Sequence, residues 1–529
     1  MTVIHSQDLK DHLEFTYNYK IVGMVDLDWL LHQSRNTLFI LFANWHKSVF
    51  EPNERIVIYS RNPVSIDMLE HIQKCGSMID ISNYFILFCN AHIDKDQLDQ
   101  LRKKYSTDDC VFSTLSVNFI DSVPQQSAST LLNLPEKFCF APWAQLEISA
   151  QGEFRPCCVF QESIKGPDNV AFHINTSSLQ TVYDSDYLKQ IRQQFLKGQT
   201  PQECSTCWFK EQHGGKSNRM WLQDHLGVAA QSLDIEQDTL KNLITLDIKL
   251  GNLCNFKCRI CNPSASSKVA QEQIKYFNAS TTLRQLSQRA QWVENPHIWQ
   301  MLETVGGQLV NIDFYGGEPF LIKQHENFLD FLVEHNFASK IRLHYNSNGS
   351  IYPQHLFEKW KHFRQIEISF SIDNTGSRFE LERGGSWSEV EKNLDDFLNT
   401  KLSNMILSIF PTINIQNVYY INELISWFET KKFNALVFNM LENPEFMSIA
   451  EMNHELAEIC VNKLQTMSPN TLEKYQVIPI IELLKQQKNA MVGMNQFRDY
   501  MSKLDTIRNQ KFSDTHKEIA KIIYKNVTT

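Results

Sequence analysis

From residue 244 the chain repeats one unit: a short strand that alternates apolar and polar residues, then an amphipathic helix. "ITLDIKL" (244–250) precedes "SSKVAQEQIKYF", "VNIDFY" (310–315) precedes "KQHENFLDFLVEHN", and "IRLHYNSN" (341–348) precedes "PQHLFEKWKHF". "IEISFSID" (366–373) precedes "SWSEVEKNLDDFL", "ILSIFPTIN" (406–414) precedes "YINELISWFETKK", and "LVFNMLE" (436–442) precedes "SIAEMNHELAEICVNKL". Strands separated by helices run parallel, because only a long crossover returns the chain to the same end of a sheet. A full (β/α)8 barrel needs two units more than these. The fold class is therefore α/β, with an open, partial (β/α)6 barrel of the TIM type.

The strand faces say more. Ile244, Leu246, Ile248 and Leu250 share one face of the first strand, and Thr245, Asp247 and Lys249 the other. The same division sets Asp313 apart from Ile312 and Phe314, Arg342 and His344 from Leu343, and Glu367, Ser369 and Ser371 from Ile366, Ile368 and Phe370. A strand buried on both faces reads as a continuous apolar run. Here helices cover the apolar face, so the polar face points into the barrel. This predicts a wet, charged lumen, with Asp247, Lys249, Asp313, Arg342, His344 and Glu367 as candidate substrate contacts. Charges of both signs suit a zwitterionic or amide-rich target. Two plainer readings stand beside it. The charges could satisfy one another, as buried charges normally do, or the sheet could be antiparallel with one solvated face.

Around the barrel, residues 1–130 read as an N-terminal α/β domain, with apolar runs such as "LFILFA" and "FILFC" among helical patterns such as "DKDQLDQLRKKY". It carries no glycine-rich phosphate loop, and its role is unassigned. "IDSVPQQSAST" (120–130) is a linker by composition. Residues 131–235 hold a cysteine-bearing module, 236–445 the barrel, and 446–529 a helical C-terminal region. The net charge of −9 argues against nucleic acid as the main partner. The run "TLFILFANW" is too short to span a bilayer, and no signal peptide opens the chain. The expectation is a cytoplasmic protein without a membrane partner.

In a reducing compartment the 12 cysteines are metal ligands or buried thiols, not a disulfide framework. Cys75, Cys89, Cys110 and Cys460 are isolated and read as core residues. Cys254, Cys258 and Cys261 are spaced C-x3-C-x2-C in the loop after the first strand, at the end of the barrel where such folds keep their active sites. A structural zinc site needs a fourth ligand, and no His or Cys follows before His297. A [4Fe–4S] cluster on three cysteines would leave one iron open to a small molecule.

This motif after a first barrel strand resembles that of the radical S-adenosylmethionine (radical SAM) superfamily. In that family SAM chelates the open iron through its amino and carboxylate groups. One electron then cleaves SAM to a 5′-deoxyadenosyl radical, which abstracts hydrogen from the substrate. "YGGEP" (315–319) resembles the family's GGE motif, which implies that Gly316, Gly317 and Glu318 receive the SAM ammonium. "YNSNG" (345–349) stands where the family has a T-x-N-G-like turn. "SIDN" (371–374) resembles S-I-D-G, with Asn374 where Gly is common. The resemblance covers roughly 240–445. It implies Asn346, Ser369, Ser371 and Asp373 as ribose and carboxylate contacts of SAM, and Arg383 as a carboxylate contact, with an ordinary surface arginine as the alternative.

A second group lies ahead of the barrel: Cys139-x12-Gly152-x4-Cys157, then Cys204-x2-Cys207. It resembles the SPASM module or its shorter twitch form, which implies a hairpin that brings Cys139 and Cys157 together and a second [4Fe–4S] cluster. In familiar members this module follows the barrel, whereas here it precedes it, as in twitch domain-containing radical SAM proteins. Cys158 reads as a packed neighbour, because successive strand side chains point opposite ways. A four-cysteine zinc ribbon is the plainer alternative.

The resemblance implies two [4Fe–4S] clusters, SAM, and an electron donor such as flavodoxin or ferredoxin. Its main expectation is oxidative modification of a peptide or protein, such as a ribosomal precursor peptide. Two alternatives stand beside it: a dehydrogenase or epimerase of a small polar molecule, and a non-catalytic iron–sulfur or zinc protein.

Overall fold

The computed structural model describes residues 134–525, apart from 213–214, 227–228, 230–232, 278–282, 284–289 and 487–490, and the backbone of six strands before residue 134. Met1–Asn133 and Leu134–Thr529 are two compact units. In the first, β1 (Thr2–Ile4) pairs with β6 (Val117–Phe119). β2 (Lys20–Asp26), β3 (Glu54–Ser60), β4 (Tyr84–Cys89) and β5 (Phe112–Leu115) form a parallel sheet in chain order. The segments 38–43, 94–105 and 120–130 and the side chains of Cys75, Cys89 and Cys110 lie outside the described residues.

The second unit is built on an eight-stranded sheet. Its first two strands in sequence are β7 (Gln145–Ile148) and β8 (Phe154–Arg155). The barrel strands are β9 (Thr245–Lys249), β10 (Asn311–Tyr315), β11 (Arg342–Ser347), β12 (Gln365–Phe370) and β13 (Met405–Ile409). After them come β14 (Thr412–Ile413), β15 (Ala435–Leu436) and β16 (Asn439–Met440). The sheet order is β15-β13-β12-β11-β10-β9-β7-β8, and the strands from β9 to β15 are parallel throughout. Six strand–helix units therefore form the partial barrel, and the antiparallel reading is excluded.

The helices start where the sequence supplies a cap. Ser266, Ser386 and Asn453 accept the N–H of the third residue onward for the helices Ser267–Tyr276, Trp387–Leu398 and His454–Leu464. The apolar strand face is buried outward: Leu246, Ile312, Phe314, Leu343, Ile366 and Ile368 lie in one core with Phe328, Leu332 and Leu394 of the helices.

Two features depart from the sequence reading. The fifth and sixth strands are each cut in two, so β15 keeps only two residues and β14 pairs with β16 in a separate sheet. Pro411 sits at the break; it has no N–H to give the ladder. The cysteine-bearing module is also not merely docked on the barrel. β7 pairs in parallel with the edge of β9, and β8 closes an antiparallel hairpin on β7. Gly152 makes that hairpin's turn at φ +81°, where a Cβ would press on the His173 ring and Ile174. This is the physical reason for a glycine in the C-x12-G-x4-C spacing. Among the described residues no helix is long and apolar enough to cross a membrane.

Candidate functional site

The three-cysteine loop leaves β9 and enters the helix Ser267–Tyr276. Its cysteines lie within electrostatic reach of one another. Cys261 feels both Cys258 and Cys254, and burial with Cys258 alongside pushes Cys254 up to about 11. Such thiols ionise only when a cation compensates them, as metal binding does.

The loop backbone is pinned from three sides. Cys254 N–H donates to Ser267 Oγ at 3.2 Å. Glu318 and Gly317 donate to the Leu253 and Ala265 carbonyls at 2.8 and 3.2 Å. Arg259 and Lys257 donate to the Glu382 and Arg383 carbonyls at 2.7 and 3.2 Å. The turn Gly316–Gly317 thus passes directly against the loop. Gly317 has φ +58°, and a Cβ there would overlap the Leu253 carbonyl.

Glu318 is fully buried, and burial raises its carboxyl to about 7. It accepts from Ser347 Oγ at 2.9 Å, Asn348 N at 2.8 Å and Phe320 N at 3.3 Å. A carboxylate has about four acceptor positions, so roughly one is left. Asn348 Nδ2 reaches Asn255 Oδ1 at 2.9 Å and lies 3.9 Å from Cys254 Sγ, which ties the end of β11 to the loop.

Arg383 is buried rather than a surface residue. It donates to Asp373 Oδ2 at 2.8 Å, and its Nη1 lies 3.9 Å from Cys258 Sγ. The other oxygen of Asp373 takes Thr412 N–H at 2.7 Å. Ser371 N–H bonds the Ser347 carbonyl at 2.8 Å. Ser369 and Asn346 are register partners one layer deeper, and Ser369 is already engaged with His344 Nε2 at 2.9 Å.

The polar side chains of neighbouring strands pair with one another along the lumen face, while Lys249, Asp313, His344 and Glu367 stay part-exposed there. Register sets Arg155, Glu147, Asp247, Asp313, His344 and Glu367 side by side across six strands. Arg342 forks onto Glu367 at 2.6 and 2.9 Å and reaches Asn311 at 2.6 Å and Asp313 at 3.4 Å. His344 Nδ1 meets Asp313 at 2.8 Å, and Lys249 pairs with Glu147 at 2.9 Å. Gln145 donates to Asp247 at 2.6 Å.

Three carboxylates in a row cannot all ionise cheaply in a buried site. Burial first, then Asp313 and Glu147, push Asp247 well above the ordinary carboxylate range. Burial also opposes charge on Asp313, but the His344 hydrogen bond and the Arg342 charge outweigh it and hold Asp313 low. Asp247 is therefore pushed toward its neutral form. Asp247→Asn is expected to cost less than about 1 kcal/mol, because a neutral group replaces a neutral group. Arg342→Met leaves the part-buried Glu367 and Asp313 without their shared cation and is expected to cost about 1–3 kcal/mol. Urea unfolding of the two variants checks the contrast.

Cys139, Cys157, Cys204 and Cys207 line a single cavity with Asn218 and Arg219. The backbone N–H groups of Asn218 and Arg219, at the start of the helix Asn218–Leu226, point at Cys207. Arg219 clasps the site: it pairs with Glu211 at 2.8 Å and donates to the Phe138 carbonyl at 3.0 Å. Cys158 is not among the residues that line this cavity; its sulfur lies 3.9 Å from Asn218 Oδ1, within electrostatic reach of Asp247, Lys249 and Glu147. Among the described residues no three His, Cys, Asp or Glu side chains are grouped as for a single bound ion. A cubane, with one thiolate on each iron, spreads its sulfurs wider than a zinc tetrahedron. Four thiols around one cavity fit it. Cys460 is a fully buried core thiol.

Sequence reasoning missed Glu147, Gln145, Asn348, Arg219 and Arg259. Asn348 and Arg259 carried a signal of position, the first inside the quoted "YNSNG" and the second inside the three-cysteine motif.

Residues 139–208 match the family model for the SPASM iron–sulfur cluster-binding domain, and residues 248–427 match that of the radical SAM superfamily. No curated protein matches the chain. Among solved structures the chain is similar to native anSMEcpe with bound AdoMet, at 19% identity over 44% of this chain and 62% of that one, with a TM-score of 0.29. It is also similar to Streptococcus suis SuiB bound to S-adenosylmethionine, at 17% identity over 47% of this chain and 51% of that one, with a TM-score of 0.28. The chain thus spans less than two thirds of the length of either structure.

Proposed function

For a chain that belongs to the radical SAM superfamily and carries a SPASM iron–sulfur domain ahead of its barrel, we propose reductive cleavage of S-adenosylmethionine at Cys254, Cys258 and Cys261, followed by hydrogen abstraction from a peptide or protein and an oxidative outcome. The observation that carries this reading is the three-cysteine loop itself. It is pinned against the Gly316–Gly317 turn, with Arg383 beside Cys258 and no fourth thiol or imidazole among the described residues of the loop. When bound, the [4Fe–4S] cluster and SAM supply a 5′-deoxyadenosyl radical upon one-electron reduction.

The chain's residues bind and orient. Gly316 and Gly317 let the backbone approach closely. Glu318 keeps one acceptor position for the SAM ammonium. Arg383, held in place by Asp373, meets the SAM carboxylate, and Ser371 and Asn346 serve the ribose. Asp247, Lys249, Asp313, Arg342, His344 and Glu367 form a rigid, mutually paired floor rather than six separate substrate contacts.

Abstraction of a hydrogen atom leaves a substrate radical. Its conversion to a dehydrogenated or newly bonded product releases one electron and one proton. A cavity with four thiols leaves no iron open to substrate, which suits it to take that electron. Enzymes with this pair of modules commonly modify ribosomal peptides or proteins, which supports the substrate class. A flavodoxin or ferredoxin would deliver the first electron.

With reductant and SAM, the anaerobically reconstituted protein is expected to release 5′-deoxyadenosine; no release would end the reading. Glu318→Ala should weaken SAM binding by about 1.5–3 kcal/mol, the size of one charge-assisted hydrogen bond, as measured by calorimetry. Unchanged affinity would remove that role from Glu318. A short peptide encoded beside this chain's gene should change mass when incubated with the enzyme and SAM. Turnover of a small polar metabolite, with the peptide unchanged, would replace the peptide reading.

A further inference from the structure

The helices Met491–Arg508 and Phe512–Thr515 lie outside both segments matched by family models. They nevertheless reach the three-cysteine loop by three routes. The first is Arg259, the residue between Cys258 and Ile260, whose side chain is wholly buried. Its guanidinium donates to the Leu381 carbonyl at 3.1 Å, Asp505 Oδ1 at 2.6 Å and Gln510 Oε1 at 3.0 Å, and contacts Met501 Sδ at 3.3 Å. Asp505 is in turn fixed by Phe512 N–H at 2.7 Å. The second is Arg508, which forks onto Glu272 at 2.7 and 3.1 Å, while Lys257 of the loop approaches the same carboxylate at 3.7 Å. The third is His516, stacked on Phe512 at 4.3 Å and bonded to Glu382 Oε1 at 2.8 Å. Glu382 is the residue whose carbonyl takes the Arg259 N–H.

A loop of eight residues with three metal ligands has little structure of its own. Among the described residues its backbone bonds across to the Glu382–Arg383 stretch, while Gly317 and Glu318 hold Ala265 and Leu253 at its two flanks. Arg259 adds a cation that water does not reach, and an arginine fork holds several acceptors at fixed angles. A buried cation next to a cluster also favours the reduced, more negative state, because cluster potential follows local charge and hydrogen bonding. Asp505 is the carboxylate that offsets this cation, and it comes from the far end of the chain.

We propose that the C-terminal helices are a clamp on the three-cysteine loop, with Arg259 and Asp505 as positioning residues that set both how firmly the loop retains iron and how readily its cluster is reduced. This rests on the reading of Cys254, Cys258 and Cys261 as iron ligands. The clamp gives a role to Asp505 and Gln510, which no family match covers.

The test uses full-length protein reconstituted anaerobically, as wild type and as Asp505→Asn, Arg259→Gln, Arg259→Lys and Gln510→Leu. Iron release to a chelator and the midpoint potential of the first cluster, followed by electron paramagnetic resonance, are measured. Iron at the Cys139 group serves as the internal reference. Asp505→Asn should raise the potential and Arg259→Gln should lower it, and both should release first-site iron at least tenfold faster. Arg259→Lys, which keeps the charge but not the fork, should keep the potential closer to wild type yet still release iron faster. Complete loss of first-site iron from Asp505→Asn, with the reference iron intact, also upholds the clamp.

Wild-type release and potential in both Asp505→Asn and Arg259→Gln would overturn it. So would shifts of the two potentials in the same direction. Loss of both sets of iron from Asp505→Asn, with Gln510→Leu unaffected, would make Asp505 a residue of the fold and likewise overturn the proposal. If the wild type itself binds no iron at the first site, the proposed function fails instead, which keeps the two failures apart.

Discussion

Replacing Cys254, Cys258 and Cys261 together with Ala is expected to halve the metal of the reconstituted protein, from about eight iron and eight sulfide per chain to about four of each. Release of 5′-deoxyadenosine should stop altogether. The loss is all or none if the three thiols hold the cluster as proposed, because no other Cys or His follows until His297. The fold should survive, since the loop lies at the end of β9 and not in its ladder. Iron analysis, sulfide analysis and chromatography of the nucleoside products check the result. A triple variant that still held about eight iron, or still cleaved SAM, would move the active cluster elsewhere.

Cys204→Ala and Cys207→Ala are expected to have the complementary effect: about four iron lost, SAM cleavage retained, and oxidised product nearly absent. Each variant removes one wall of the cavity shared with Cys139 and Cys157. Neither residue is among the contacts that pin the loop of Cys254, Cys258 and Cys261, so the first step should proceed. Deuterium transfer from labelled peptide into 5′-deoxyadenosine measures abstraction, and product mass measures completion. Transfer without product places the second cysteine group at the electron-removal step. Wild-type product from folded variants would make that group structural and favour a redox-neutral reaction. Zinc in the cavity of anaerobically purified protein would have the same consequence.

Much of the barrel was legible because its signals are local. The alternation of β9 to β12 is a period of two along one strand, and the helix starts at Ser266, Ser386 and Asn453 are decided by one side chain each. The three-cysteine spacing and "YGGEP" were legible for the same reason. Burial of Arg383 was not, since its partners Asp373 and Cys258 come from two other segments. The pairing along the lumen was not legible, because a polar strand face looks alike whether its side chains stand free or bond to their neighbours across the sheet. Only the register of β7 against β9 showed that Glu147 completes the row beside Asp247, whose carboxyl burial and its neighbours push upward.

The sequence by itself determined the parallel strand–helix repeat, the three-cysteine loop and the four-cysteine set, because each depends on residue type and spacing over a few turns of chain. Tertiary structure decided that the cysteine module extends the barrel sheet, that the interior charges neutralise one another, and that the last helices grip Arg259. Those outcomes depend on which distant segments share an edge or a buried charge. Edge pairing is made by backbone groups that every residue carries, and charge pairing by side chains whose partners lie up to 246 positions away, so neither leaves a local pattern to read.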